Sequence, residues 1–488
     1  MKLWEKIYCG YDSYKTIRDD YYNYCKLSDF DQDEFNRNSI LLMPYSQRTS
    51  LSVDPVGTIK VMNAVNNGPH VAGSTQKRGN AQAYKDAEFG YARLHDAPIR
   101  WGWAHTVDVS CIFPNFEADE NDPKSYDFTL TDKLIKEIYN SGTKVFYRLG
   151  QSIEHWPKKY GANPPANFKK WARICEHIIR HYNEGWADGH HYNIEYWEIW
   201  NEPDIDTKKE NFHRSKSPMW TGTEEEFFRL YEIAANHLNK CFPHLKIGGP
   251  ALASNLEWAD RFLAYCAKNS VEMDFFSYHR YFSKMEKAIR TTNRVKALLD
   301  KYGYSNAEMI LNEWNYISNW TGEFVHSIEV IKSYKGAAYT AAVMSNFQDS
   351  PVHMMMYYDA RPGTTFNGLF DLYTSQPRHA YYALYSWTKL RRLGTQVKTS
   401  VGGLKDIYAT AAKSDDGKLA LLLTYYTDDR NVVAPKRVTV NFKGFEVKEA
   451  MSHVLDRFKM HTETPIEIVN SKATIFMEPN SYILIELR

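Results

Sequence analysis

Apolar residues recur along this chain in two rhythms. Between Thr58 and about Tyr385, short runs of β-branched and aromatic residues alternate with longer stretches whose apolar positions return every three or four residues. These are the marks of buried strands and amphipathic helices. The runs Thr58–Ala64, Pro98–Trp101, Lys144–Arg148, Ile194–Trp200, Leu245–Gly248, Asp274–His279, Met309–Asn312 and Val352–Tyr358 predict eight strands. Helices are predicted over Leu130–Asn140, Phe168–Tyr182, Glu224–Lys240, Leu256–Lys268, Ile289–Tyr302 and Ser327–Phe347. In the first of these, Leu134, Ile135 and Ile138 share a face, with Thr131-Asp132 near the start and Gly142 just past the end. Strand and helix in alternation predict a parallel sheet. An open doubly wound sheet calls for a glycine-rich phosphate loop after the first strand, and Asn66-Asn67-Gly68-Pro69 is not one. The expected fold class is therefore α/β, a closed (β/α)8 TIM barrel.

Past Tyr385 the rhythm shortens to Val397–Ser400, Ile407–Lys413, Leu419–Tyr426, Arg437–Phe442, Lys448–Leu455 and Tyr482–Leu487, with the turn Ser414-Asp415-Asp416-Gly417-Lys418 among them. An Asp-Gly turn between alternating apolar runs is a hairpin signal, and the length suits an accessory antiparallel β-sandwich. The expected domains are an N-terminal segment, 1–55, packing on the sandwich, a barrel over 56–385, and the sandwich over 386–488.

The chain has 488 residues, enough for a barrel and a smaller unit. Its 60 Lys and Arg balance 59 Asp and Glu, which argues against nucleic acid or an anionic membrane as partner. Aromatic residues make up 15% of the chain, suited to stacking on sugar faces as well as to core packing. The six cysteines, Cys9, Cys25, Cys111, Cys175, Cys241 and Cys266, are widely spaced and suggest neither a zinc site nor a disulfide framework. The sequence begins without a signal-like apolar core and has no run of about 18 apolar residues. A soluble protein is expected, cytoplasmic as given, or secreted or periplasmic if a signal has been removed.

Two glutamates carry the candidate chemistry. Tyr196-Trp197-Glu198-Ile199-Trp200-Asn201-Glu202-Pro203-Asp204 runs a strand into a turn, and Pro203, lacking an N–H, ends the ladder. Met309-Ile310-Leu311-Asn312-Glu313-Trp314-Asn315 repeats the arrangement about 110 residues later. Both glutamates fall at strand carboxyl ends, where barrels keep their chemistry. Glu198-Ile199-Trp200-Asn201-Glu202-Pro203, then Lys246-Ile247-Gly248-Gly249-Pro250-Ala251, then Asp274-Phe275-Phe276-Ser277-Tyr278-His279, in that order, resemble glycoside hydrolase family 39. That family lies within the clan of retaining barrel glycosidases and includes β-xylosidases and α-L-iduronidases. The resemblance runs from about Trp101 to Trp387 and also implies a sandwich beside the barrel.

The resemblance implies a retaining exo-glycoside hydrolase, β-xylosidase-like, acting on a plant-type or other complex glycan. Glu202 would be its acid/base and Glu313 its nucleophile, with no cofactor or metal. A non-catalytic glycan-binding protein on the same fold is the alternative reading. Two carboxylates brought together should hold one proton near neutral pH, assigned here to Glu202. An arginine at a neighbouring strand end would keep the nucleophile ionised, with Arg100 the first candidate and Arg148 the second. Asn201 would donate to a sugar 2-hydroxyl, and His279 and Tyr281 would lie near the carboxylates. Family xylosidases carry a histidine two positions after the second-strand arginine, where counting from Arg100 gives Gly102, and a tryptophan at the end of the eighth strand, where Tyr357-Tyr358 stands. Trp101, Trp103, His105 or Arg361 would fill those roles in the altered sugar cradle, and Trp314 and Tyr358 are further candidate substrate-binding residues. Arg361 would recognise a carboxylate or pair with Asp359. His190-His191 reads as a solvated loop without metal-ligand spacing.

Overall fold

The alternation that begins near Thr58 closes into a ring in the computed structural model, which describes residues 47–70, 79–97, 105–154, 159–205 and 219–487, apart from Gly403, Lys443, Glu446 and Lys448. Strand β1 (Gln47–Thr58) belongs to a separate sheet. Strands β2 (Val61–Asn66), β3 (Tyr91–Arg93), β4 (Lys144–Leu149), β5 (Tyr196–Ile199), β6 (Lys246–Leu252), β7 (Phe275–Phe282), β8 (Glu308–Tyr316) and β9 (Val352–Tyr357) form a closed barrel in chain order. Neighbours are parallel, and β9 returns to β2.

The helices are α1 (Ala81–Ala87), α2 (Val109–Ile112), α3 (Thr129–Asn140), α4 (Phe168–Asn183), α5 (Glu224–Cys241), α6 (Leu256–Lys268), α7 (Met285–Lys301), α8 (Phe324–Ile331), α9 (Tyr334–Gln348) and α10 (His379–Leu393). Their starts follow from local chemistry. Asn167 and Asn255 accept from the Lys170 and Trp258 amides to cap α4 and α6, and Thr223 with Glu226 forms a capping box on α5. The single helix expected over Ser327–Phe347 is two, divided at the exposed Lys332.

One strand lies elsewhere than expected. The second barrel strand is Tyr91–Arg93, while Pro98–Trp101 falls outside the described residues. A three-residue strand carries little periodic signal, and the Pro-Ile-Arg-Trp run looked more strand-like than Tyr-Ala-Arg.

Side chains of period two turn alternate residues of each strand into the barrel. The lower layer is apolar and aromatic: Ala64, Tyr91, Phe146, Tyr196, Phe275, Ile310 and Met354 form one cluster. Strand β6 places Gly248 against this layer, where an added Cβ would stand 2.3 Å from the Phe275 carbonyl oxygen and 2.7 Å from its ring. Two residues further along their strands come Asn66, Arg93, Arg148, Glu198, Ser277 and Asn312, all fully buried. A buried polar layer therefore lies directly beneath the strand ends.

Contacts divide the chain into two units. One holds Lys60–Lys332 and Phe347–Thr388; the other holds the described residues through Ile59, Ser333–Asn346, and those from Lys389 onward. The second unit is built on a nine-stranded sheet that joins β1 to β10 (Thr395–Ser400), β11 (Ile407–Lys413), β12 (Leu419–Tyr425), β13 (Lys436–Asn441), β14 (Ala450–Leu455), β15 (Thr462–Thr464), β16 (Lys472–Met477) and β17 (Ser481–Leu487). Pairing is antiparallel except between β1 and β13. The sheet is covered on its inner side by its own residues, Leu51, Leu421, Leu423, Val438, Ile475 and Ile485 among them. Residues of β13 and β16, at one end of the strand order, line the same groove as residues of β14 and β17, near the other, so the sheet curls over on itself. Among the described residues no helix is long and apolar enough to cross a membrane. The described cysteines, Cys111, Cys175, Cys241 and Cys266, are free thiols.

Gly248→Ala should lower unfolding stability by about 1–3 kcal/mol, the usual penalty for overpacking. Guanidinium denaturation would measure it, and an unchanged midpoint would refute the close approach of β6 to Phe275.

Candidate active site

The polar layer is organised by one arginine. Arg93, fully buried at the end of β3, donates from Nε to Glu198 Oε2 at 2.7 Å and from Nη1 to Glu313 Oε1 at 2.8 Å. It also donates from Nη1 to Asn66 Oδ1 at 3.1 Å and from Nη2 to Asn201 Oδ1 at 2.6 Å. Asn312 donates to the second oxygen of Glu198, and Asn66 donates to the Asn312 carbonyl at 2.7 Å. Strands on opposite sides of the ring are thus bonded through its interior.

Above this layer Glu202, His279 and Glu313 converge. One carboxylate oxygen of each glutamate and one ring nitrogen of His279 all lie within 4.8 Å of one another. His279 Nδ1 is 2.7 Å from Glu202 Oε1 and 3.5 Å from Glu313 Oε2. Tyr281 donates to Glu313 Oε2 at 2.8 Å. Both oxygens of Glu313 therefore accept from strong donors, which makes this trio a poor cradle for a cation despite its ligand-type side chains.

Backbone geometry aims Glu202. Trp200 and Glu202 have φ of 73° and 47°, left-handed values unfavourable for side chains with a Cβ. The strain is held by packing: the Trp200 indole sits against Trp171, Trp220 and Phe227 and donates to the Met219 carbonyl. The Glu202 amide bonds the Ala251 carbonyl, and Asp204 accepts from the amides of Ala253, Ser254 and Asn255 at 2.8–3.0 Å. The loops after β5 and β6 are thereby locked together.

Burial, then the nearby Asp204 carboxylate, pushes Glu202 up from 4.5 to about 8. Burial leaves Glu313 raised as well, against the opposing charge of Arg93 and the Tyr281 hydroxyl bond. Burial holds His279 down at about 4, so its ring is neutral at pH 7. Glu202 is thus the carboxyl group that holds a proton near neutral pH, and Glu313 the one whose two oxygens both accept from donors.

The residues expected from sequence divide into three groups. Glu202, Glu313, Asn201, His279 and Tyr281 meet at this centre. Arg100, Trp101 and Trp103 lie outside the described residues. The others stand apart from the carboxylates. Arg148, the second candidate to support Glu313, instead donates to Asp108 at 2.7 Å, and His105 Nδ1 contacts the other oxygen of that aspartate at 2.7 Å. Trp314 is fully buried edge-on to Tyr357, because the residue after an inward-facing glutamate points out of the barrel, so it presents no face to a sugar. Tyr358 is buried and donates to Asp96 at 3.3 Å. Arg361 is paired with Asp359, bonded through Nε at 2.8 Å.

Sequence reasoning missed Arg93, Glu198, Asn66 and Asn312. Arg93-Leu94-His95 supplies the Arg-x-His spacing that counting from Arg100 had failed to find. His95 is buried, and its ring is kept neutral by burial and by the nearby positive charges of Arg93 and Arg148.

A closed parallel barrel that brings two carboxyl groups together at its strand ends is the arrangement found in barrel glycosidases. The chain belongs to glycosyl hydrolases family 39, whose profile matches residues 69–392, and that family retains anomeric configuration. It is 24% identical to a β-xylosidase of Caldicellulosiruptor saccharolyticus over 73% of each chain. It is 25% identical to a β-xylosidase of Geobacillus stearothermophilus over 53% of this chain and 52% of that one. A glucosidase structure from Croceicoccus marinus shares the fold with a TM-score of 0.73 at 20% identity, covering 91% of this chain and 99% of the other.

The Glu202 shift has a pH signature. Its folded pKa, about 8, exceeds the ordinary 4.5, so the folded state keeps a proton that the unfolded chain releases. The resulting stabilisation is complete below about 4.5 and is lost as pH rises toward 8. His279 acts oppositely, but only between about 4 and its ordinary 6.5. Between pH 6.5 and 8, wild-type stability should therefore fall by up to about 1 kcal/mol per pH unit, and Glu202→Gln should flatten that decline. Guanidinium midpoints across the window decide it; equal slopes in the two proteins would refute the assignment.

Proposed function

We propose that the protein is a retaining, exo-acting, β-xylosidase-like glycosidase that works by double displacement. Glu313 is the nucleophile and Glu202 the general acid and then base. The observation that carries this reading is the approach of Glu202 and Glu313 oxygens to within 4.8 Å. An approach that close is in keeping with a retaining pair, about 5–5.5 Å apart, rather than with the about 6.5–9.5 Å of inverting enzymes.

In the first step Glu313 attacks the anomeric carbon as the glycosidic C–O bond breaks, and the Glu202 proton passes to the leaving oxygen. The negative charge of Glu313 is consumed in the ester just as Glu202 becomes ionised. Glu202 no longer faces an anion, so its proton affinity falls and its carboxylate persists as the base for water. That water displaces Glu313 and returns the proton. Each step moves one negative charge between the carboxyl groups, while Arg93 stays paired with Glu198.

Asn201 suits recognition of the sugar. Its Oδ1 is taken by Arg93, while its Nδ2 is buried without a hydrogen-bond partner among the described residues. An amide donor at that position can bind the 2-hydroxyl as charge develops at the anomeric carbon. Arg361, already neutralised by Asp359, favours a neutral sugar over a uronic acid. The β-xylosidase relatives make a β-xyloside the first substrate to try.

On a panel of nitrophenyl pentosides, hexosides and uronides in both anomers, β-xylosides should be turned over best. Glu313→Ala should lower kcat on the order of 10³-fold or more, and a 2-fluoroglycoside should label Glu313 covalently. Glu202→Ala should lose roughly 10²–10⁴-fold on substrates with poor leaving groups, far less on dinitrophenyl glycosides, and recover with azide. Near wild-type turnover by Glu313→Ala on every cleaved glycoside would overturn the proposal.

A further inference from the structure

A second group of histidine and carboxylate side chains lies on the helices outside the barrel strands. Asp132 on α3, His181 near the end of α4 and His190 in the loop before β5 bring three ligand atoms within 4.8 Å of one another. The hydrogen bonds of His181 fix its chemistry. Its Nδ1 is 2.9 Å from the Trp186 carbonyl oxygen, which can only accept, so Nδ1 carries a hydrogen. In a neutral ring the lone pair is then on Nε2, which faces Asp132 Oδ1 at 3.0 Å. Lone pair meets carboxylate there, an arrangement that requires positive charge between or on the two groups. His190 Nε2 adds a third donor atom. It is 3.6 Å from the same oxygen, and it is buried without a hydrogen-bond partner among the described residues.

We propose that Asp132, His181 and His190 bind one divalent transition-metal ion of borderline softness, with zinc the representative. In a tetrahedral zinc site with bonds of about 2.0–2.1 Å, neighbouring ligand atoms are roughly 3.3 Å apart. The separations of 3.0 and 3.6 Å bracket that edge. Ligand orientation is already set. Phe128 stacks on the His181 ring at 3.5 Å, Tyr192 stacks on His190 at 4.6 Å, and the His190 amide bonds the His181 carbonyl at 2.6 Å. The Nδ1 bond from His181 to a backbone carbonyl is the outer-shell support that metal-binding imidazoles use. Tyr182 donates to Asp132 Oδ1 at 3.0 Å and leaves that oxygen its second lone pair. Two imidazoles and a carboxylate leave the fourth position to water.

The full chain, stripped with chelator and dialysed, should bind one Zn²⁺ in a calorimetric titration, and Zn²⁺ should raise its Tm. Co²⁺ in its place should give the intense visible absorption of a tetrahedral ion, which reads the site without any substitution. His190→Ala, at a partly exposed position, and Asp132→Asn should each weaken binding by about 100-fold or more and abolish the Tm shift. Glu202→Gln should bind as wild type does, placing the ion away from the facing carboxyl groups. Absence of zinc binding would overturn the proposal. So would binding undiminished in His190→Ala and Asp132→Asn, or a Co²⁺ spectrum of octahedral type.

Discussion

One buried guanidinium holds the barrel's working end together. Arg93 is cut off from solvent, a condition that costs several kcal/mol for an unpaired charge, and it is met by carboxylates from β5 and β8 and amides from β2 and the end of β5. Two carboxylates around one arginine leave the cluster one negative charge in excess. A third, Glu202, stands within 4.8 Å of Glu313 and among the described residues is paired with no lysine or arginine, its hydrogen-bond partner being the neutral His279. Ionising it would place a second uncompensated charge in a dry site. The location of the proton follows from this count of charges more than from any property of Glu202 itself.

The count holds only because the strands deliver these groups to one level. Period-two alternation stacks Phe146 below Arg148, Tyr196 below Glu198 and Tyr91 below Arg93, so a tightly packed aromatic floor fixes the height of the polar layer. Glu202 and Glu313 reach the next level by breaking the rhythm. Glu202 does so through left-handed backbone at Trp200 and at itself, Glu313 through a register shift between β7 and β8 that sets it beside His279. The shift at Glu313 lies where the ladder would otherwise have turned that side chain outward.

These departures explain what could be read from the sequence. The barrel, the separate sheet and the two facing glutamates were legible because each rests on a long periodic run or on an ordered set of motifs. Arg93 was not, since its strand has three residues and Tyr-Ala-Arg shows no period, whereas Pro98-Ile99-Arg100-Trp101 imitates a strand with an arginine inside it. Glu198 was hidden for the opposite reason. It lies in the middle of a strong apolar run, where a lone carboxylate reads as noise, and only the ring closure that brings Arg93 and Asn312 to it gives it partners. Arg148 and Trp314 were legible as residue types but not as roles, because which way a strand-end side chain turns depends on pairings distant in the chain.

Two sets of histidine and carboxylate in this one chain show how little residue type decides alone. At the barrel centre His279 Nδ1 meets Glu202, and both oxygens of Glu313 accept, one from Arg93 and one from Tyr281, so donors surround that carboxylate. Between α3 and α4 the balance is reversed. The only hydrogen His181 holds as a neutral ring is spent on the Trp186 carbonyl, so its Nε2 lone pair and the Asp132 carboxylate face each other, with the His190 Nε2 beside them and without a hydrogen-bond partner among the described residues. A surplus of donors around an anion prepares proton transfer, and a surplus of lone pairs prepares a cation site. The sequence spaces the second set in no recognisable motif. It is the fold, by choosing which ring nitrogen meets a backbone carbonyl, that assigns them different chemistry.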